Sequence, residues 1–165
     1  MAATLNGALN RVRVRARRGD LFAPLAGRRY DVIVSNPPYV PAATERLPTK
    51  GPERAWDAGL DGRTLIDRIA AGAARHLRPG GTLLLVQSSL CGVEPTVERL
   101  ERTGLKAHVE VRRRGPLGPL LAARARDLEK RGLLRHGERE EELVVVRAQD
   151  AEATSRLSAP HPERR

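Results

Sequence analysis

The residues best suited to chemistry lie in DVIVSNPPYVP, residues 31–41. Asp31 to Val34 reads as a short, β-branched strand of a parallel sheet. Ser35-Asn36-Pro37-Pro38-Tyr39 cannot continue it. Proline fixes φ and donates no hydrogen bond, and it pushes the residue before it into an extended conformation. The chain therefore leaves the sheet stiffly, with the Asn36 amide and the Tyr39 ring held at a strand's carboxyl end, where open α/β sheets keep their sites. The Asn36 side-chain oxygen and a carbonyl of the Pro-Pro turn are two acceptors that can bind one NH2 group. Tyr39 can lie against the planar system that carries it. An amide or aryl amine is a poor nucleophile because its lone pair is delocalised. Holding both N–H bonds favours the geometry from which nitrogen attacks. Such a site works by positioning and charge stabilisation, without a metal or a strong base. Taken alone, the same residues also read as a rigid turn with a surface tyrosine.

The elements that must position this loop are read from pattern. Residues 1–10 resemble the last turns of a helix, closing near Gly7. RVRVRAR, residues 11–17, alternates strictly and predicts an edge or half-covered strand. A long polar loop covers 41–59, of a length that in compact domains is usually functional or mobile. A helix is predicted over 63–77 from Leu65, Ile66, Ile69, Ala70, Ala73 and Leu77, with Asp61 at its N-cap. Arg78-Pro79-Gly80-Gly81 is a stop-and-turn signal. A buried strand is expected at 82–86, a helix at 94–103, a strand at 107–111, a helix at 119–130 and a last strand at 142–147. The alternation predicts an α/β sheet. The last strand can insert antiparallel. Residues 1–147 form one domain, and 148–165, without apolar periodicity, predict a disordered tail.

Composition narrows the function classes. The chain has 165 residues, enough for one core, and a formal charge of +10 carried mostly by arginine. That balance suits an acidic partner such as RNA or DNA; because the arginines are spread along the chain, codon bias explains it equally well. The one cysteine, Cys91, can form no internal disulfide. It reads as a buried small hydrophobe, and a reducing cytoplasm is the default location. No apolar run approaches the roughly 18 residues of a membrane span. His76 and His108 have no spaced partners, so no metal site is expected. Trp56 reads as core. Arg112-Arg113-Arg114 reads as a solvated strand end or a contact to RNA or an acidic protein.

The flanks of the loop add a resemblance. GDLF (19–22), DVIVSNPPYVP (31–41), RAWDAGLDGRTLIDRIAAGAARHLRPGG (54–81) and TLLLVQSS (82–89) together resemble the HemK/PrmC-type protein glutamine methyltransferases. The match runs through about residue 147. Asn-Pro-Pro-Tyr is shared with amino-methylating DNA and RNA enzymes; the GLDG-helix-RPGG block is more specific to the protein-methylating branch. The short carboxyl half and EEELVVVRA look most like the subgroup acting on class-1 release factors. The resemblance implies a Rossmann-like class I methyltransferase sheet, mostly parallel with an antiparallel last strand, and S-adenosylmethionine as cofactor. It implies that Asn36, Pro37, Pro38 and Tyr39 bind the target amide, with Asn36 also beside the cofactor. Asp20 and Leu21 would sit by the adenine, where a carboxylate can accept the N6–H; Asp20 also reads as a turn residue. The family opens with a strand, a Glu-x-Gly-x-Gly turn and a second strand, and these first two strands are lacking here. The 165-residue chain is therefore expected to bind the cofactor weakly or not at all, and to carry a bare sheet edge that a partner could complete. A nucleic-acid amino-methyltransferase and a non-catalytic binding module are the competing functions.

Overall fold

The structure is a computed structural model and describes residues 2–150. Four strands form one sheet: β1 (Tyr30–Ser35), β2 (Leu77–Ser88), β3 (Leu105–Pro116) and β4 (Glu140–Asp150), in the order β1-β2-β4-β3. β1 and β2 are parallel, and β4 runs antiparallel to both β2 and β3. Three strands thus point one way, and the last inserts between two of them as expected. The helices are α1 (Ala2–Leu9), α2 (Thr64–His76), α3 (Glu94–Glu101) and α4 (Pro119–Lys130).

The main core forms where α2 and α3 meet one face of the sheet. Ile66, Ile69, Ala70 and Ala73 of α2 meet Leu83 and Leu85 of β2 and Val144, Val146 and Ala148 of β4. The sheet residues recur at every second position and the helix residues at three- and four-residue spacings, so both periods point inward. A second cluster joins Val40 to Leu117, Leu121, Ala125, Leu128 and Leu134. It seats α4 against the segment just after Tyr39.

Several expectations are corrected. Residues 11–17 form no strand: the segment is irregular and exposed throughout. A strand needs a ladder, and here the Val12 N–H is spent on the Gly7 carbonyl at 2.8 Å, closing α1 after Arg11 has turned at φ +56°. β1 forms one edge of the sheet, and its Val32 and Val34 are 57% and 69% exposed, so it is not the buried strand its composition suggests. Arg78-Pro79-Gly80-Gly81 does turn, with Gly80 at φ +80°, but inside β2. The pairing to β1 jumps there, from Leu77 opposite Tyr30 to Thr82 opposite Val32. Residues 148–150 complete β4, because Ala148 is fully buried between Leu83 and Ala107. The remainder of the expected tail lies outside the described residues.

Candidate functional site

β1 delivers its carboxyl end into Asn36-Pro37-Pro38-Tyr39, which carries no regular hydrogen-bonded structure. Pro37 is buried and Asn36 is exposed. Among the described residues, nothing hydrogen-bonds the Asn36 side chain, so its carboxamide is open to a ligand. Tyr39 is partly buried against the main core. Burial raises its phenol above the ordinary value, and the charges of Glu141 and Cys91 add to that rise. The ring is therefore neutral across the physiological range, as a surface for packing on a planar group requires.

The chain beyond Tyr39 is stitched down. The Val40 N–H donates to the Trp56 carbonyl at 2.8 Å, the Ala58 N–H to the Val40 carbonyl at 3.1 Å, and the Ala42 N–H to the Gly59 carbonyl at 2.8 Å. Arg124 on α4 donates through one nitrogen to the Pro41 carbonyl at 2.8 Å and to the Asp57 carboxylate at 2.6 Å. Arg131 donates to the Ala42 and Leu60 carbonyls. The long 41–59 loop is therefore anchored by α4 at both its ends, and Trp56 packs on the second core cluster as expected.

Leu21 lies beside the same strand end. Leu21, at φ +45°, lines a cavity of about 190 Å³ together with Phe22, Leu25, Ile33, Ser35 and Ile69. Ser35 directly precedes Asn36, so this apolar notch and the Asn36–Tyr39 loop adjoin. The Asp20 carboxylate is exposed and paired with Arg68. Phe22 stacks on His76 with centroids 4.4 Å apart. The lining of the notch, apolar apart from Ser35, suits a flat apolar group such as the adenine end of S-adenosylmethionine. Among the described residues no Gly-x-Gly turn stands ready for the methionine end.

Asp61 is not the N-cap of α2. It accepts from the Arg63 N–H at 2.8 Å in a local turn, while Arg63 itself occupies that cap. Cys91 is buried, and its thiol is pushed up to about 12, chiefly by desolvation. It is a proton-bearing thiol, not a nucleophile. His108 is exposed beside Glu110 at 3.0 Å. Arg112 and Arg114 pair with Glu142 and Glu140 at 3.0 and 2.7 Å across the β3–β4 ladder.

Sequence reasoning missed Glu141 and the cleft it lines. Its carboxylate accepts from Ser88 Oγ at 2.5 Å and from the Gly118 N–H at 3.2 Å. The cleft holds about 550 Å³, and Ser89, Leu90, Leu133 and Leu134 also line it. The signal was available only in topology: an antiparallel last strand starts where β2 ends, so the glutamate run opening β4 must meet the turn after Ser88.

The strand order defines the class, a mixed α/β sheet with an antiparallel strand inserted between two parallel ones. Within that class the chain is related to the protein glutamine methyltransferases. It is 33% identical over 120 residues to a protein N5-glutamine methyltransferase of Methanocaldococcus jannaschii, covering 73% of this chain and 60% of that protein. It is 47% identical over 76 residues to a ribosomal protein uL3 glutamine methyltransferase of Bradyrhizobium diazoefficiens, covering 44% of this chain and 24% of that protein. To a release factor glutamine methyltransferase of Gloeobacter violaceus it is 42% identical over 88 residues, covering 50% and 30%. The chain thus spans between about a quarter and three fifths of the length of these relatives. The fold agrees with that of the E. cuniculi Mtq2–Trm112 complex, responsible for methylation of the termination factor eRF1. The TM-score is 0.51 at 21% identity, over 90% of this chain and 69% of that one. No family model matches the chain.

Proposed function

We propose that this chain is the acceptor-binding part of an S-adenosylmethionine-dependent methyltransferase that modifies a glutamine side-chain amide in a protein, with a class-1 release factor as substrate. The observation that carries the proposal is the open Asn36 carboxamide beside two prolines and a neutral Tyr39, on a strand end anchored to the core. The relatives at 33–47% identity, all protein glutamine methyltransferases, support the amide as acceptor.

In this reading the Asn36 side-chain oxygen and the Pro37 or Pro38 carbonyl accept the two N–H bonds of the substrate amide. Tyr39 packs on its plane. The two hydrogen bonds pull the amide out of full conjugation, so its nitrogen lone pair points at the methyl carbon. Leu21 and Asp20 would hold the adenine of S-adenosylmethionine, which would supply that carbon as a sulfonium-bound electrophile. The S–CH3 bond would break as the N–C bond forms, its electron pair returning to sulfur; the two oxygens would stabilise the positive charge on nitrogen, and an N–H proton would leave to water. Among the described residues β1 pairs only with β2, so its other edge is open to a further strand.

The test is methyl transfer by a fusion of this chain to the part of the Methanocaldococcus relative that it does not cover. Asn36→Ala in that fusion is expected to remove turnover while leaving cofactor affinity nearly unchanged. Near-normal turnover of Asn36→Ala on every candidate protein would remove the role given to this residue.

A further inference from the structure

Three segments distant in sequence converge on the peptide unit just past the acceptor prolines. The Cys91 thiol, at the end of the turn after β2, donates to the Tyr39 carbonyl oxygen at 3.1 Å. Gly62, in the turn before α2, lies on the same oxygen: a Cβ built there would stand 2.3 Å from it and 2.9 Å from Cys91 Sγ. At φ +75° that position also disfavours any side chain. Arg63, the next residue, ties the two turns together. Its Nη1 donates to the Cys91 and Gly92 carbonyls at 2.5 and 2.7 Å, and its Nη2 to Asp67 at 2.6 Å. The Arg63 side chain is 11% exposed and Cys91 is 3% exposed, so water does not compete for these bonds.

We infer that Gly62, Arg63 and Cys91 form a lock on the Tyr39 carbonyl and act as positioning residues for the acceptor loop. Pro37 and Pro38 have fixed φ angles, so the direction of their carbonyls depends on few remaining torsions. Fixing the Tyr39 carbonyl at one end, and β1 at the other, leaves those carbonyls one orientation. The lock gives the GLDGR turn a role in the site: its last glycine must be bare because the acceptor loop passes over it, and its arginine holds the thiol's turn in register. The thiol is suited to its part because it keeps its proton at every physiological pH. For its functional consequence the inference rests on the amide-acceptor reading above.

The experiment uses the 165-residue chain, isotopically labelled, with Gly62→Ala, Cys91→Ala and Cys91→Ser compared by NMR. The readouts are the Tyr39 carbonyl carbon shift and the backbone order parameters of Asn36 and Tyr39. Melting curves identify any variant that has simply unfolded. Gly62→Ala and Cys91→Ala are expected to shift the carbonyl resonance and lower loop order, and Cys91→Ser, which keeps a donor, to return both towards the parent. If Gly62→Ala does not fold, the alanine and serine variants of Cys91 carry the comparison. Unchanged loop order in Cys91→Ala overturns the lock. A capped glutamine peptide is then titrated against each protein, read at the Asn36 side-chain amide. Binding several-fold weaker in Cys91→Ala and recovered in Cys91→Ser supports the positioning role. Equal affinity in all variants overturns it. If the peptide leaves the parent's Asn36 signal unmoved, the acceptor reading and the functional half of the inference both fall, while the order measurements still decide the lock.

Discussion

Ser88 Oγ donates to the Glu141 carboxylate at 2.5 Å, joining the last residue of β2 to the second of β4. The bond places a glutamate with no cationic partner among the described residues near the acceptor loop, close enough for its charge to act on Tyr39. Glu141→Gln is expected to lower the Tyr39 phenol pKa without restoring the ordinary value, because burial is the larger cause of its rise. A tyrosinate absorbance titration in a Tyr30→Phe background, which leaves Tyr39 as the one tyrosine of the chain, reads this directly. A titration curve unchanged by the substitution would place Glu141 too far away to matter.

Cys91 makes stability depend on pH in a defined window. Its folded pKa, about 12, lies above the ordinary 9.0. A raised pKa means the folded state holds the proton more tightly. The stabilisation is therefore complete below about pH 9 and is lost as pH rises towards 12. Within that window each pH unit costs about 1.4 kcal/mol from this group. Chemical denaturation at a series of pH values should show a steeper alkaline loss in the parent than in Cys91→Ser. Parallel curves would contradict the burial of a proton-bearing thiol.

Arg124 holds the loop beyond Tyr39. Arg124→Ala leaves the Asp57 carboxylate, 14% exposed, without its ion pair and frees the Pro41 carbonyl. A loss of about 1–3 kcal/mol is expected, with faster proteolytic cleavage within residues 43–55. Denaturant midpoints and limited proteolysis measure the two effects. Arg126→Ala, an exposed change on the same helix, is the control expected to alter neither.

The 165-residue chain is expected to bind S-adenosylmethionine weakly or not at all. In the proposed reading, the notch at Leu21 and the carboxylate of Asp20 serve only the adenine end. Each missing buried hydrogen bond costs about 1–3 kcal/mol, so losing several weakens affinity by orders of magnitude. Calorimetry that found micromolar binding would show that the described residues hold the whole cofactor.

Much of this architecture was legible in the sequence because it rests on local period. Helix α4 falls on the predicted 119–130, and α2 differs by one residue at each end, since Gly62 and the β2 backbone set its limits. The antiparallel insertion of β4 was readable from the change in element order. Residues 11–17 misled because alternation states which faces a strand would have and says nothing about whether a neighbour exists to pair with it. The strands were longer than predicted for the opposite reason: β3 and β4 pair from Leu105 with Asp150 to Pro116 with Glu140, and cross-strand partners extend them through arginines and glutamates that carry no apolar signal. The acceptor loop announced itself through its prolines. The residues that grip it did not, since Gly62, Arg63 and Cys91 meet Tyr39 only in three dimensions.

The central claim is that the loop at the end of β1 presents a protein glutamine amide for methylation. Its most direct test is labelled methyl transfer by the fusion to the Methanocaldococcus segment, offered purified class-1 release factor, genomic DNA and total RNA side by side. Label is predicted in the release factor, at the side-chain amide of one glutamine, and absent from both nucleic acids. Label confined to DNA or RNA would contradict the claim and assign the same loop to a base amine.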